Sequence, residues 1–226
     1  MWFLLGHLPM QRYYIRLLSK NERLVAKKTD QIAEKLMRNL VQITGSTVEV
    51  RGEEHLQTDE PYILIANHQS NFDIPLLLGF VHSGMGFVSK QELRKIPIGS
   101  KWMELKRCLF IDRQNPRQAI RDIDQKIEET KLTDDVLCIF PEGTSSKGDQ
   151  VGEFKTGAFR AAKRKKIAIL PVAISGSFQL MEQNNGKISA GHVVLTILPL
   201  QKPKEDVKVW AEEVREQIQA CTNKPV

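Results

Sequence analysis

Cysteine is scarce in this chain: there are three in 226 residues, Cys108, Cys138 and Cys221. An odd number with no close pair argues against a disulfide framework and against a cysteine-ligated zinc site. Reduced thiols fit a catalytic part on the cytosolic side. Long apolar runs are also missing. No stretch reaches the roughly 20 apolar residues that a membrane-spanning helix needs. The apolar start, residues 1–10, stops at Pro9 and lacks the basic head and small-residue cleavage site of a secretion signal. His7, His55, His82 and His192 are scattered without ligand-like spacing, so no metal and no bound cofactor is expected. There is no internal repeat and no low-complexity segment. Ser70 has no Gly-x-Ser-x-Gly surroundings of the kind that build a nucleophile elbow.

What is present is a 41% apolar composition, enough for one packed domain with an appendage, and an excess of positive charge, +6 overall. That excess points to an anionic partner, whether nucleic acid, an acidic membrane surface or a phosphorylated substrate. Nucleic-acid binding would favour aromatics interleaved with basic residues on the folded domain. Here the densest interleaving is at the amino terminus instead, so a nucleic-acid partner is not expected. Trp2, Phe3, Leu4, Leu5, Tyr13 and Tyr14 stand among Arg12, Arg16 and Lys20, the pattern of a helix lying in a membrane interface. Each buried large apolar side chain contributes up to ~1.5–3 kcal/mol, and each Lys or Arg near an anionic leaflet adds ~1 kcal/mol. The same pattern also suits an amphipathic helix packed on its own domain. A second helix is predicted over 30–44, with Ile32, Leu36, Leu40 and Ile43 as its stripe, Asp30 as its N-cap and Gly45 as its stop. Residues 1–45 therefore divide off as an amphipathic two-helix membrane-associating segment.

Residues 46–226 alternate apolar, β-branched runs with amphipathic stretches. Strands are predicted at 47–52, 62–66, 85–89, 108–111, 136–140, 167–174 and 193–198, and helices at 74–80, 99–106, 116–130, 157–166 and 207–221. This is an α/β domain with a largely parallel sheet flanked by helices. The run Lys155, Arg160, Lys163, Arg164, Lys165, Lys166 reads as a solvated basic face, with anionic lipid contact as the other reading.

Three strand exits carry chemistry. The strand at 62–66 breaks into Asn67-His68, and Asp73 follows within the next helical turn. A carboxylate bonded to one imidazole nitrogen leaves the other free to take a proton. The same residues also suit a solvated loop histidine and a first-turn acid favoured by the helix dipole. The strand at 108–111 exits into Asp112-Arg113, and the guanidinium suits a bidentate grip on phosphate or a surface ion pair. The strand at 136–140 exits into Pro141-Glu142-Gly143-Thr144-Ser145, a loop able to hold an anion on its amides and hydroxyls, or only a turn. Glu142 would repel a phosphate set directly against it and is expected to orient Arg113 or a substrate hydroxyl. In a parallel sheet all three exits share one edge, the edge at which open α/β sheets bind ligands.

At these residues the chain resembles the glycerolipid acyltransferases, most closely those acting on 1-acyl-glycerol-3-phosphate. Asn67-His68-(four residues)-Asp73 is similar to the family's NHxxxxD motif. Residues 90–99 with Phe110-Ile111-Asp112-Arg113 resemble its second block, Phe140 to Ser145 its third and Leu170-Pro171-Val172 its fourth. The four blocks occur in family order over 62–175. The resemblance implies His68 as general base oriented by Asp73, with Asn67 and Pro171 as supporting motif residues. It also implies an acceptor phosphate held by Arg113, Glu142, Gly143, Thr144 and Ser145, to which Lys90 adds positive charge. The acyl donor would be a coenzyme A or acyl carrier protein thioester and the acceptor a phosphorylated glycerolipid at an anionic membrane surface. Acylation of glycerol-3-phosphate or another lyso-lipid is the alternative within the family. A lipid hydrolase and a non-catalytic basic membrane-binding protein are the alternatives outside it.

Overall fold

The computed structural model describes residues 22–222 except Ile98 and Asp134. Trp2, Phe3, Leu4, Leu5, Tyr13 and Tyr14, the expected interfacial side chains, lie outside the described residues. The described chain is built around a sheet of strands β1 (Thr47–Arg51), β2 (Tyr62–Ala66), β3 (Met85–Lys90), β4 (Leu109–Ile111), β5 (Val136–Ile139), β6 (Ala168–Ser175) and β7 (His192–Ile197). Their spatial order is β1-β7-β6-β2-β5-β3-β4. From β6 through β2, β5 and β3 to β4 every pairing is parallel. The β6–β7 pairing is antiparallel, and β1 runs alongside β7. The carboxyl ends of β2, β3, β4, β5 and β6 thus lie on one edge, as expected for a largely parallel sheet.

The helices are α1 (Glu22–Ile43), α2 (Asp73–Phe80), α3 (Gly99–Leu105), α4 (Pro116–Thr130), α5 (Gly157–Lys165) and α6 (Val207–Thr222). The central strands are apolar throughout because both faces are covered. On β2, Leu64 and Ala66 join one core with Leu76 and Leu77 of α2, while Ile63 and Ile65 join the other with Phe159 of α5 and Trp210 and Val214 of α6. This is the period of two expected of a strand. The Phe159 and Trp210 rings meet edge to face at 5.2 Å, and burial of such a side chain contributes roughly 1.5–3 kcal/mol.

Helix α1 corrects the sequence reading. It does not begin at Asp30 but runs unbroken from Glu22, so Asp30 is an interior residue and not a cap. The carboxylate of Asp30 is turned inward, where it pairs with Lys106 and, at 3.1 Å, with Arg107; Arg107 also meets Asp135 at 2.8 Å. Ala33, Leu36 and Val41 of α1 are buried, and Met37 and Leu40 pack on the core beside α2. The predicted stop is where the sequence placed it, with Gly45 at φ +77 donating its N–H to Gln42. No helix among the described residues is long and apolar enough to cross a membrane.

Candidate active site

Asn67 is the first residue past β2, and its side chain continues the sheet. Its amide nitrogen donates to the Ile174 carbonyl at 2.9 Å and its amide oxygen accepts the Ile174 N–H at 2.7 Å. A buried amide so paired fixes where the chain leaves the strand. His68 follows, with 19% of its side chain exposed, and Asp73 stands fully buried in the first turn of α2. His68 Nδ1 lies 2.7 Å from Asp73 Oδ2. An ionised carboxylate only accepts, so Nδ1 carries the proton and Nε2 is the basic nitrogen. Asp73 is held in turn: Oδ2 also accepts the N–H groups of Gln69 at 2.7 Å and Ser70 at 2.9 Å, and Oδ1 accepts the Ser177 hydroxyl at 2.5 Å. The imidazole stacks on Phe140 at 4.4 Å between centroids, and Phe140 stacks on Phe87 at 6.0 Å. One ring edge is fixed by the carboxylate and one face by an aromatic, so the orientation of Nε2 is set before any substrate arrives.

The loop after β5 is tied to the same histidine. Glu142 is buried; Oε1 accepts the His68 N–H at 2.7 Å and Oε2 accepts the Gly152 N–H at 2.8 Å. Burial raises the Glu142 carboxyl above its ordinary range, and these two N–H bonds work against that rise. The Ser146 N–H closes the join by donating to the His68 carbonyl at 2.8 Å. Gly152 has to be glycine for this approach, since a Cβ there would stand 2.8 Å from Glu142 Oε2. Arg113, exposed past the end of β4, donates from Nη1 to the Gly143 carbonyl at 2.6 Å. Imidazole, carboxylate, guanidinium and loop therefore meet at the carboxyl edge. The arrangement can take a proton from a bound hydroxyl and hold an anion beside it.

A family model described as Acyltransferase matches residues 47–175, more than half of the chain. The chain belongs to the acyltransferase family. It is 35% identical over 180 residues to the 1-acyl-sn-glycerol-3-phosphate acyltransferase of Saccharomyces cerevisiae, an alignment covering 77% of this chain and 59% of that one. It is 31% identical over 182 residues to the enzyme of the same name from Salmonella typhimurium, covering 80% and 72%. The crystal structure of a 1-acyl-sn-glycerophosphate acyltransferase from Thermotoga maritima superposes with a TM-score of 0.78 at 25% identity, over 99% of both chains. The chain thus spans 59% of the length of the yeast relative.

Several sequence expectations for this chain change in detail. Glu142 does not orient Arg113; its carboxylate is used on His68 and Gly152, and Arg113 bonds to the Gly143 backbone instead. Gly143 takes φ +74, while Thr144 is exposed and Ser145 half-buried at the turn. Lys90 closes β3 in register with Ile111, two residues before Arg113, and is exposed. Pro171 lies within β6 beside Ile65, and its carbonyl accepts the Leu198 N–H at 2.9 Å. Sequence reasoning missed Ser177 and Glu182. Ser177 follows the exit of β6, a further strand end on the same edge. Glu182 holds the loop between His68 and Asp73, accepting the Ser70 hydroxyl and, at 3.0 Å, the Asn71 N–H. The signal for Ser177 was the small-residue run Ser175-Gly176-Ser177 at the end of a strand; Glu182 carried none.

Proposed function

We propose that this chain transfers a fatty acyl group from an acyl thioester to the sn-2 hydroxyl of 1-acyl-glycerol-3-phosphate, giving phosphatidic acid. The observation that carries this reading is the His68–Asp73 pair set beside Arg113 and the Gly143 loop on one sheet edge. The names of the yeast, Salmonella and Thermotoga relatives supply the substrate class. In the reaction His68 Nε2 takes the hydroxyl proton as the oxygen attacks the thioester carbonyl. Asp73 stabilises the imidazolium that forms. The tetrahedral intermediate collapses with loss of the thiolate, which takes up the proton from His68. General-base help of this kind accelerates a reaction by ~10²–10⁴. Nothing in this scheme requires an acyl-enzyme.

The acceptor phosphate sits against Arg113 and the loop Gly143-Thr144-Ser145, with Lys90 supplying further positive charge from the neighbouring strand. Glu142 serves by holding the His68 backbone, not by touching the phosphate. The donor is a coenzyme A or acyl carrier protein thioester. Trp2, Phe3, Leu4, Leu5, Tyr13 and Tyr14 rest in the interface of an anionic membrane, with the catalytic edge on the cytosolic side.

The test is acyl transfer by purified protein in vesicles, with 1-acyl-glycerol-3-phosphate and a long-chain thioester of each carrier, beside folded His68→Ala. Phosphatidic acid from the wild type and none from the variant is the expected result. Acylation of glycerol-3-phosphate or another lyso-lipid instead would keep the chemistry and replace the acceptor. Transfer to no acceptor, or equal transfer by the variant, would overturn the reading.

A further inference from the structure

The basic run that the sequence presents as one solvated face divides in the fold. Lys163, Arg164 and Lys165 are each answered by an acid: Glu205 at 2.8 Å, Asp124 at 2.7 Å and Glu128 at 3.4 Å. Lys155 is not. Among the described residues its ammonium makes no ion pair and no hydrogen bond, and its side chain is exposed. It is nevertheless not loose at its base. Its backbone N–H donates to the Pro141 carbonyl at 3.1 Å, which ties the residue to the loop after β5. Its side chain reaches back over that loop, so that a Cβ placed on Gly143 would stand 2.8 Å from Lys155 Nζ. Gly143 is also the residue whose carbonyl accepts Arg113 Nη1 at 2.6 Å.

Two cations from different elements therefore converge on one residue, and nearby acids are engaged elsewhere. The carboxylate of Glu142 faces the His68 and Gly152 N–H groups, and Asp112 accepts the Gln114 N–H at 2.8 Å. Neither Arg113 nor Lys155 has an acidic partner among the described residues. Like charges held together without a counter-charge repel, and the repulsion is relieved when an anion enters between them.

We propose that Lys155 is a ligand of the acceptor phosphate, closing over it from the side opposite Arg113. The proposal deepens the function argued above and rests on it. The two cations do different work: the planar guanidinium fixes the orientation of the phosphate, and the ammonium adds a movable point charge. Lys155 thereby sets specificity, because an acceptor without a phosphate gains nothing from it.

The experiment uses the full chain in phosphatidylcholine vesicles and compares wild type with Lys155→Met, Lys155→Arg and the ion-paired control Lys163→Met. Loss of a charge-assisted contact is expected to raise the apparent KM for 1-acyl-glycerol-3-phosphate on the order of 10- to 100-fold in Lys155→Met. Its kcat and the KM for the thioester should stay within about twofold, because the base and its carboxylate are untouched. Lys155→Arg should recover most of the loss, and Lys163→Met should match wild type. Thermal stabilisation by soluble glycerol-3-phosphate, measured on the same proteins, reads the anion site without turnover. An unchanged acceptor KM in Lys155→Met, or a loss confined to kcat, overturns the assignment. If the wild type makes no phosphatidic acid while glycerol-3-phosphate stabilises it and fails to stabilise Lys155→Met, the acceptor reading falls and Lys155 stands as an anion ligand.

Discussion

Replacing Asp73 by Asn separates the charge of this carboxylate from its geometry. Oδ2 accepts from three donors, His68 Nδ1 and the N–H groups of Gln69 and Ser70. An Asn side chain will therefore place its oxygen there. Its NH2 group then takes the place of Oδ1 and faces Ser177. That hydroxyl can turn from donor to acceptor and give its own proton to Gln69 Oε1, 3.3 Å away. The shape of the site survives, and stability should fall by only about 1 kcal/mol, the weakening of bonds that had a charged acceptor. The His68 tautomer survives as well, because an oxygen still faces Nδ1. What disappears is the negative charge next to the imidazolium of the transition state. Charge centres about 4 Å apart at an effective dielectric constant near 20 interact by about 4 kcal/mol, or roughly 10³ in rate. Turnover can be followed by the thiol released from the acyl thioester, and folding by thermal unfolding of the same sample. Turnover of Asp73→Asn within about threefold of wild type would refute the role given to Asp73. A loss of activity that merely tracked unfolding would refute the claim that the amide preserves the site.

Glu142→Gln should be worse tolerated than its size implies. Two N–H groups, of His68 and Gly152, point at the carboxylate, and an amide offers one oxygen and sets its NH2 against the other donor. A cost of about 1–3 kcal/mol in denaturant unfolding is expected, with a fall in kcat because the His68 backbone loses its anchor. At Glu182 the order reverses. Gln keeps an acceptor for the Asn71 N–H and a partner for Ser70, whereas Ala removes both, leaving the Ser70 hydroxyl only the Phe72 N–H that it accepts at 3.0 Å. Glu182→Gln should remain close to wild type and Glu182→Ala should lose about tenfold in kcat. The acid limb of stability should involve His82, whose pKa is lowered from 6.5 chiefly by burial, with Lys106 and Arg107 adding to the shift and Asp30 and Asp135 opposing it. Below pH ~6.5 the unfolded chain takes up a proton that the folded one refuses, so stability falls as pH drops through the folded pKa. In His82→Gln, Tm should decline less between pH 7 and 5 than in wild type.

The strands and most helices were legible because their signals are local. The run 62–66 is apolar at every position since β2 is covered on both faces, and Asn67-His68 marks its end because polar turn formers stop it. Pro116 marked the start of α4 in the sequence, and the structure adds Asn115 as its cap, the side chain accepting the Gln118 N–H at 3.2 Å. Asp30 misled for a physical reason. An acid before an apolar stripe is the mark of a cap, but this one answers Lys106 and Arg107, which lie 76 and 77 residues away. Glu142 misled in the same way, since a carboxylate in a loop normally faces water and this one is buried against two backbone donors. Within the basic run Lys163, Arg164 and Lys165 pair with acids distant in sequence, whereas Lys155 is tied by its backbone to the loop after β5, and neither relation has a local signal.

The support that could not be read locally comes from the one antiparallel pairing in the sheet. A parallel neighbour is reached by a crossover that carries the chain back to the opposite edge, whereas an antiparallel neighbour is entered on the edge just left. Because β7 runs against β6, the connection over residues 176–191 stays on the edge that carries His68. It starts at Gly176, which takes φ +83 where a Cβ would stand 2.4 Å from the His192 carbonyl oxygen. The next residue, Ser177, reaches Asp73, and Glu182 reaches Ser70 and Asn71. The separations are 104 residues for Ser177 to Asp73 and 112 for Ser70 to Glu182. Had β7 been a further parallel strand, the chain would have left this edge after β6 and Glu182 could not have reached the His68–Asp73 loop. The reversal of strand direction is therefore part of how the fold holds His68 and Asp73 in register.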